Sequence, residues 1–171
     1  GTKLGGSMSG YKLLRSLGHG CTKLRPTLVQ LKSGWKGAAA LKGVRANCHA
    51  AILHDGKLTA ESRGQLQFTE YGLSGPVMFE ISRDVCQGGG DWLCRLDFLP
   101  EMEETALISE LKKRRNTNLP VSELLTGILH NRLGRVLTQS AGLPPNAPVS
   151  SLSDGELVQA ARAVKGLEVS L

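Results

Sequence analysis

The sequence predicts an α+β fold: a small antiparallel β-barrel with an inserted helix, followed by a small helical subdomain. Three observations carry this. Val44–Leu53 alternates apolar and polar residues and runs into Asp55-Gly56, a dipeptide suited to a tight hairpin turn. Gly64–Cys86 starts with the alternation of a half-buried strand, breaks at Gly72-Leu-Ser-Gly-Pro76, and resumes at helical spacing through Val77, Met78, Ile81 and Val85. After Leu99-Pro100 the alternation disappears and helical stripes replace it.

Taken in order, residues 1–10 are rich in Gly and Ser and read as a loop. Leu13, Leu14 and Leu17 form a short helical stripe over residues 11–17, stopped by Gly18. Residues 26–31 read as a short strand, and 33–42 as a loop or wide hairpin connection in which Trp35 covers a core edge. Val44, Ala46, Cys48, Ala50 and Ile52 share one face of the clearest strand. Residues 57–62 return as its partner, and Arg63-Gly64 turns into the next strand. Ser74 is placed to cap the following helix, with Pro76 in its first turn, where a missing N–H costs nothing. Gly88–Asp91 is a second turn, and residues 92–98 alternate again, with Cys94, Leu96 and Phe98 on one side. Helices are expected over 101–115, 121–128 and 133–141. A last helix opens with the capping box Ser153–Glu156 and ends near Gly166.

Composition narrows the function classes. Aromatic residues are only 4% of the chain, so the core is aliphatic. The +6 formal charge permits an anionic partner without requiring one. The densest basic run, Lys112–Arg115, contains no aromatic residue for stacking on single strands and closes a helix that begins with Glu101, Glu103 and Glu104. The helix dipole accounts for that arrangement, so nucleic acid is an unlikely partner. A binding module for protein or nucleic acid, using this basic helical half, is the alternative reading. No apolar run is long enough to cross a membrane as a helix. Cys21, Cys48, Cys86 and Cys94 form no CxxC pair and are expected as reduced, mostly buried thiols in a cytoplasmic protein. The four histidines have no zinc-site spacing, and the GGSMSG loop lacks the Lys-Ser/Thr that ends a nucleotide-triphosphate loop. No metal site and no catalytic side chain are assigned. The place that stands out is the helix start at Ser74–Pro76, where backbone N–H groups are expected to lie open to an anion or a polar ligand edge, with Glu70 and Tyr71 beside it.

The stretch GQLQFTEYGLSGPVMFEISR resembles the strand–turn–helix signature of the HI0933/YhiN-like flavoproteins, an FAD-dependent family whose members include aminoacetone oxidases and bile-acid-processing flavoproteins. GGSMSGYKLLRSLGH, LRPTLVQL and LDFLP resemble three further family segments. The resemblance implies that this chain is the insert, barrel plus helical subdomain, of a larger FAD-dependent oxidoreductase. Residues 1–20 would be a connector and short helix from the FAD domain, 21–99 the barrel-like part, 100–166 the helical subdomain, and 167–171 the start of a return strand. It further implies a cofactor-facing edge at Thr69, Glu70, Gly72, Leu73, Ser74, Gly75 and Pro76, with Gly6, Ser7, Gly10 and Tyr11 near the cofactor. The partner would be the FAD-binding domain of the same polypeptide, and the substrate an unknown small molecule. No FAD is expected to bind this chain alone, which would be inactive by itself.

Overall fold

The computed structural model describes residues 5–171. The expected N-terminal loop is therefore seen only from Gly5; residues 1–4 lie outside the described part. Six strands, β1 (Leu31–Lys32), β2 (Arg45–His54), β3 (Lys57–Thr69), β4 (Gly72–Ser74), β5 (Trp92–Asp97) and β6 (Leu167–Ser170), form one antiparallel sheet in the order β1-β4-β3-β2-β5-β6. The sheet is a half-barrel. Its two edges meet at one point, where the Gly34 N–H donates to Ser170 O at 3.3 Å. β6, within the residues expected to start a return strand, pairs with β5 from Leu93–Ser170 to Leu96–Leu167.

The described residues form six α-helices, α1 (Ser9–Ser16), α2 (Gly37–Ala40), α3 (Pro76–Val85), α4 (Glu104–Lys113), α5 (Asn131–Ser140) and α6 (Asp154–Lys165). Asp55 and Gly56 both have positive φ, 49° and 77°, which gives a two-residue hairpin turn the twist its strands need. The turn expected at Arg63-Gly64 is absent. Gly64 pairs with Cys48, and the β2–β3 ladder continues through it from Lys57 to Gln67. The strand expected over 26–31 shrinks to Leu31–Lys32 because Leu28 adopts φ 55°, which kinks the chain out of the extended region. The expected 33–42 loop contains α2, which buries Ala38 and is followed by the buried Leu41. The helix expected over 121–128 is only a 3₁₀ turn, Val121–Glu123. There Gly127 takes φ 81°, and the Leu124 and Thr126 carbonyls point to the Arg114 guanidinium at 2.9 and 2.8 Å instead of closing helical turns.

One buried core runs through both halves. Phe68 is its aromatic centre, with Trp35 and Phe98 rings at 6.1 and 6.2 Å. α3 lays Val77, Met78 and Ile81 against β3 from inside the half-barrel, and α4 and α6 contribute Leu107, Leu111, Leu157, Ala161 and Val164. The seam between the halves is polar as well as apolar. Phe98 N–H donates to Val164 O at 3.0 Å, and Lys165 Nζ reaches Asp97 Oδ2 at 2.7 Å and Leu99 O at 2.6 Å.

Candidate functional site

Thr69 ends β3 and Gly72 begins β4, so Glu70 and Tyr71 are the two residues of a tight hairpin. Thr69 Oγ1 donates across it to Gly72 O at 3.1 Å, and Ser33 N–H donates to Tyr71 O at 3.0 Å. The backbone of the tip is thereby held while its side chains project. Tyr71 is 64% exposed, and the Glu70 carboxylate meets Lys42 Nζ at 2.8 Å. That hydrogen bond, with the Glu70 charge, raises the Lys42 ammonium above its ordinary value. Nothing in the spacing of Lys42 and Glu70 announces their meeting, which the sheet alone produces.

The glycines of this segment serve the fold. A Cβ on Gly72 would lie 2.2 Å from Leu31 O and 2.7 Å from Ser33 N. Gly75 has φ 98°, and a Cβ there would lie 2.6 Å from Gln65 O. Both positions are buried against neighbouring backbone, so glycine is required for close strand approach. Leu73 is fully buried in the core. The expected cap is not formed by Ser74, which is the last residue of β4 and pairs with Gln67. The N-cap of α3 is Gly75, with no side-chain cap bond. Nor is the helix start the open row of donors expected from sequence. Pro76 has no N–H, and the N–H groups of Met78 and Phe79 both donate to Gly75 O at 3.0 Å. The segment therefore offers a half-buried Thr69, a half-buried Ser74 and an exposed Glu70-Tyr71 tip, which together make one wall.

The other expected contacts lie on a separate, exposed segment. Gly6 and Ser7 precede α1, whose first turn carries Gly10 and Tyr11, and the Ser7 and Ser9 hydroxyls lie 2.8 Å apart. α1 buries none of its residues; Leu13, Leu14 and Leu17 are 62%, 48% and 68% exposed. Hydrogen bonds tie the following chain to the fold at Arg25, whose guanidinium donates to the Cys86 and Gln87 carbonyls at the C-terminal end of α3, and at Val29, whose N–H donates to the buried Ser82 hydroxyl at 3.3 Å. Thr69–Pro76 sits at the opposite end of α3, a ten-residue helix about 15 Å long. Among the described residues no hydrogen bond joins 6–11 to 69–76.

The basic run is internally engaged. Lys112 and Arg115 both bond Asp154, at 2.6 Å each, Lys113 pairs with Glu110, and Arg114 holds two carbonyls. Of the thiols, Cys48 and Cys94 are buried while Cys21 is exposed and Cys86 is half-buried, so burial is confined to the two strand cysteines. Burial pushes both strand thiols up to about 12, which keeps them protonated and unreactive at neutral pH. Among the described residues no group of His, Cys, Asp and Glu is arranged to hold a metal.

Comparison with known proteins agrees with this architecture. Residues 25–171 match the family described as HI0933-like protein barrel and H2TH domain. The chain is 37% identical over 171 aligned positions to a 3-dehydro-bile acid delta(4,6)-reductase of Clostridium scindens, an alignment that covers 95% of this chain and 41% of that relative. The half-barrel, its inserted helix and the helical half that follows thus place this chain in the HI0933-like flavoprotein family, as the barrel and H2TH domain of that family.

Proposed function

We propose that this chain is the substrate-side insert of a longer, cytoplasmic FAD-dependent oxidoreductase, without activity by itself, and that its Thr69–Pro76 edge faces the cofactor held by the rest of that polypeptide. The observation that carries the reading is the unburied apolar surface of residues 8–28. Met8, Leu13, Leu14, Leu17, Leu24 and Leu28 are each 44–68% exposed, which suits packing against another domain. The family match begins at Arg25, after α1, while similarity to the reductase extends over nearly the whole chain. In this reading residues 1–20, with Gly6, Ser7, Gly10 and Tyr11, go with the FAD domain, and 21–99 and 100–166 are the two parts of the insert, a division that the start of the family match at Arg25 supports.

The fit to a flavin is that of one wall. Glu70 and Tyr71 are free to approach a ligand, whereas Gly72, Leu73 and Gly75 position that tip by packing against β1, β3 and the core. When bound, FAD would supply the hydride chemistry. This chain's residues would exclude water with the Tyr71 ring and set the polarity of the tip through the Lys42–Glu70 pair. The substrate class follows the reductase relative only as far as a small unsaturated organic molecule. The alternative binding module draws on Lys112–Arg115, a run whose charges already have partners inside the fold.

Flavin titration distinguishes these readings. The longer polypeptide should bind FAD stoichiometrically and the 171-residue chain should not, and Tyr71→Ala in the longer polypeptide should weaken substrate or flavin affinity about tenfold, a loss of one large contact. Tight stoichiometric binding by this chain alone, or a longer polypeptide without flavin, would overturn the reading.

A further inference from the structure

A groove crosses the seam between the half-barrel and the helical half. It consists of two adjoining cavities of about 480 and 370 Å³ that share Asn47, Phe98 and Leu99. Together they fall within the size of ordinary small-ligand sites, roughly 300–1,000 Å³. The larger cavity has a mostly apolar surface made by Cys48, Phe98, Leu99, Pro100 and Met102, with the bare backbone of Gly64 opposite Cys48. The smaller adds Ile128 and Leu129 from the non-helical stretch before α5. This groove is separate from the Glu70–Tyr71 tip, and nothing in the flavin reading depends on it.

The charges around it are unequal. Arg63 stands at the larger cavity and Arg45 at the smaller; on the β2–β3 ladder Arg45 pairs with Gln67 and Arg63 with His49. The one carboxylate in the lining is Glu101. It pairs with Arg63 at 3.1 Å, but the two side chains are 63% and 87% exposed, so the pair is weak and readily exchanged for another acceptor. Arg45 forms no ion pair among the described residues. We propose that this groove binds a small amphipathic carboxylic acid, its apolar body along Phe98–Met102 and its carboxylate on Arg63 or Arg45. Charge complementarity favours an acid over a neutral amphiphile, because a guanidinium matches a carboxylate with two parallel hydrogen bonds.

The test is an amide NMR titration of this chain with decanoate and with 1,2-decanediol, a neutral amphiphile of the same length. Decanoate should shift the amides of Asn47, Arg63, Phe98, Leu99, Glu101 and Met102, and the diol should bind there about tenfold more weakly, the value of one charge-assisted contact. Arg45→Gln with Arg63→Gln should bring the two affinities together. Asn47→Trp, on an exposed strand position common to both cavities, should abolish both. Shifts concentrated on Leu13 and Leu14 of α1 and on Leu17 just after it, equal affinities in the unaltered chain, or binding undiminished by Asn47→Trp would each overturn the proposal.

Discussion

In the sheet half, backbone ladders define the geometry and aliphatic side chains fill it. In the helical half, short elements are joined by irregular chain, and side chains satisfy what the backbone leaves open. β2 and β3 pair over ten residues with one register shift, and Leu66, Phe68, Ala50 and Ile52 are fully buried behind them. Between α4 and α6 the described backbone forms no sheet, and outside α5 it forms only brief 3₁₀ turns. Arg114 ties down two carbonyls there, Glu123 binds Thr126 and Arg135, Asp154 binds Lys112 and Arg115, and Ser153 and Glu156 close a capping box. A regular ladder satisfies its own polar groups; irregular chain needs a donor or acceptor placed for each one. The carboxylates whose titration is lowered, Glu123, Asp154 and Glu156, all lie in the helical half, while the thiols raised by burial lie in the sheet.

The largest test removes the shared interior. Phe68→Ala should cost about 3–5 kcal/mol in urea denaturation, the usual loss for a buried aromatic ring, and should lower one transition common to both halves. Two separated transitions would show that the halves are independent and break the comparison. Next is the seam: Lys165→Ala strands Asp97, in a pair whose side chains are only 14% and 19% exposed, and should cost about 3 kcal/mol. Limited proteolysis in the 99–103 connection should then accelerate.

Arg114→Met should cost about 2 kcal/mol, since it leaves the Leu124 and Thr126 carbonyls without their charged donor. Hydrogen exchange should rise in residues 121–130 and stay unchanged in β2 and β3; a rise in the strands would erase the distinction. The smallest effect is electrostatic. Hydrogen bonds from Lys112 and then Arg115 hold the Asp154 carboxyl below its ordinary value. A depressed folded value stabilises the fold fully above the unfolded carboxylate's titration, near pH 4, and that contribution is lost as pH falls through the folded value. Asp154→Asn should therefore differ from the unaltered chain at neutral pH and converge with it in acid. Because the group is exposed, salt should shrink the difference.

The hairpin at Asp55-Gly56, the alternating interior of β2, the helix after Pro76 and the Ser153 capping box were legible because each depends on residues within one or two turns of each other. The candidate site was legible only in part. Tyr71 and Glu70 could be placed at a strand end, yet Lys42 could not be joined to Glu70, and Ser74 was assigned a cap that β4 takes away from it. The GLSGP stretch looked like backbone left open by glycine. In the folded chain Gly72 and Gly75 admit neighbouring strands to within van der Waals contact.

By itself, then, the sequence determined the local elements, the aliphatic core and the family signature, because periodicity, turn chemistry and caps act over short separations. Tertiary structure alone decided that Gly64 continues a strand, that residues 121–128 stay non-helical, that β6 closes the sheet beside β5, and that a groove opens at Asn47, Phe98 and Leu99. Each of these is a contact between residues far apart in the chain, and the energy of such a contact is set by what lies opposite, which no local pattern records.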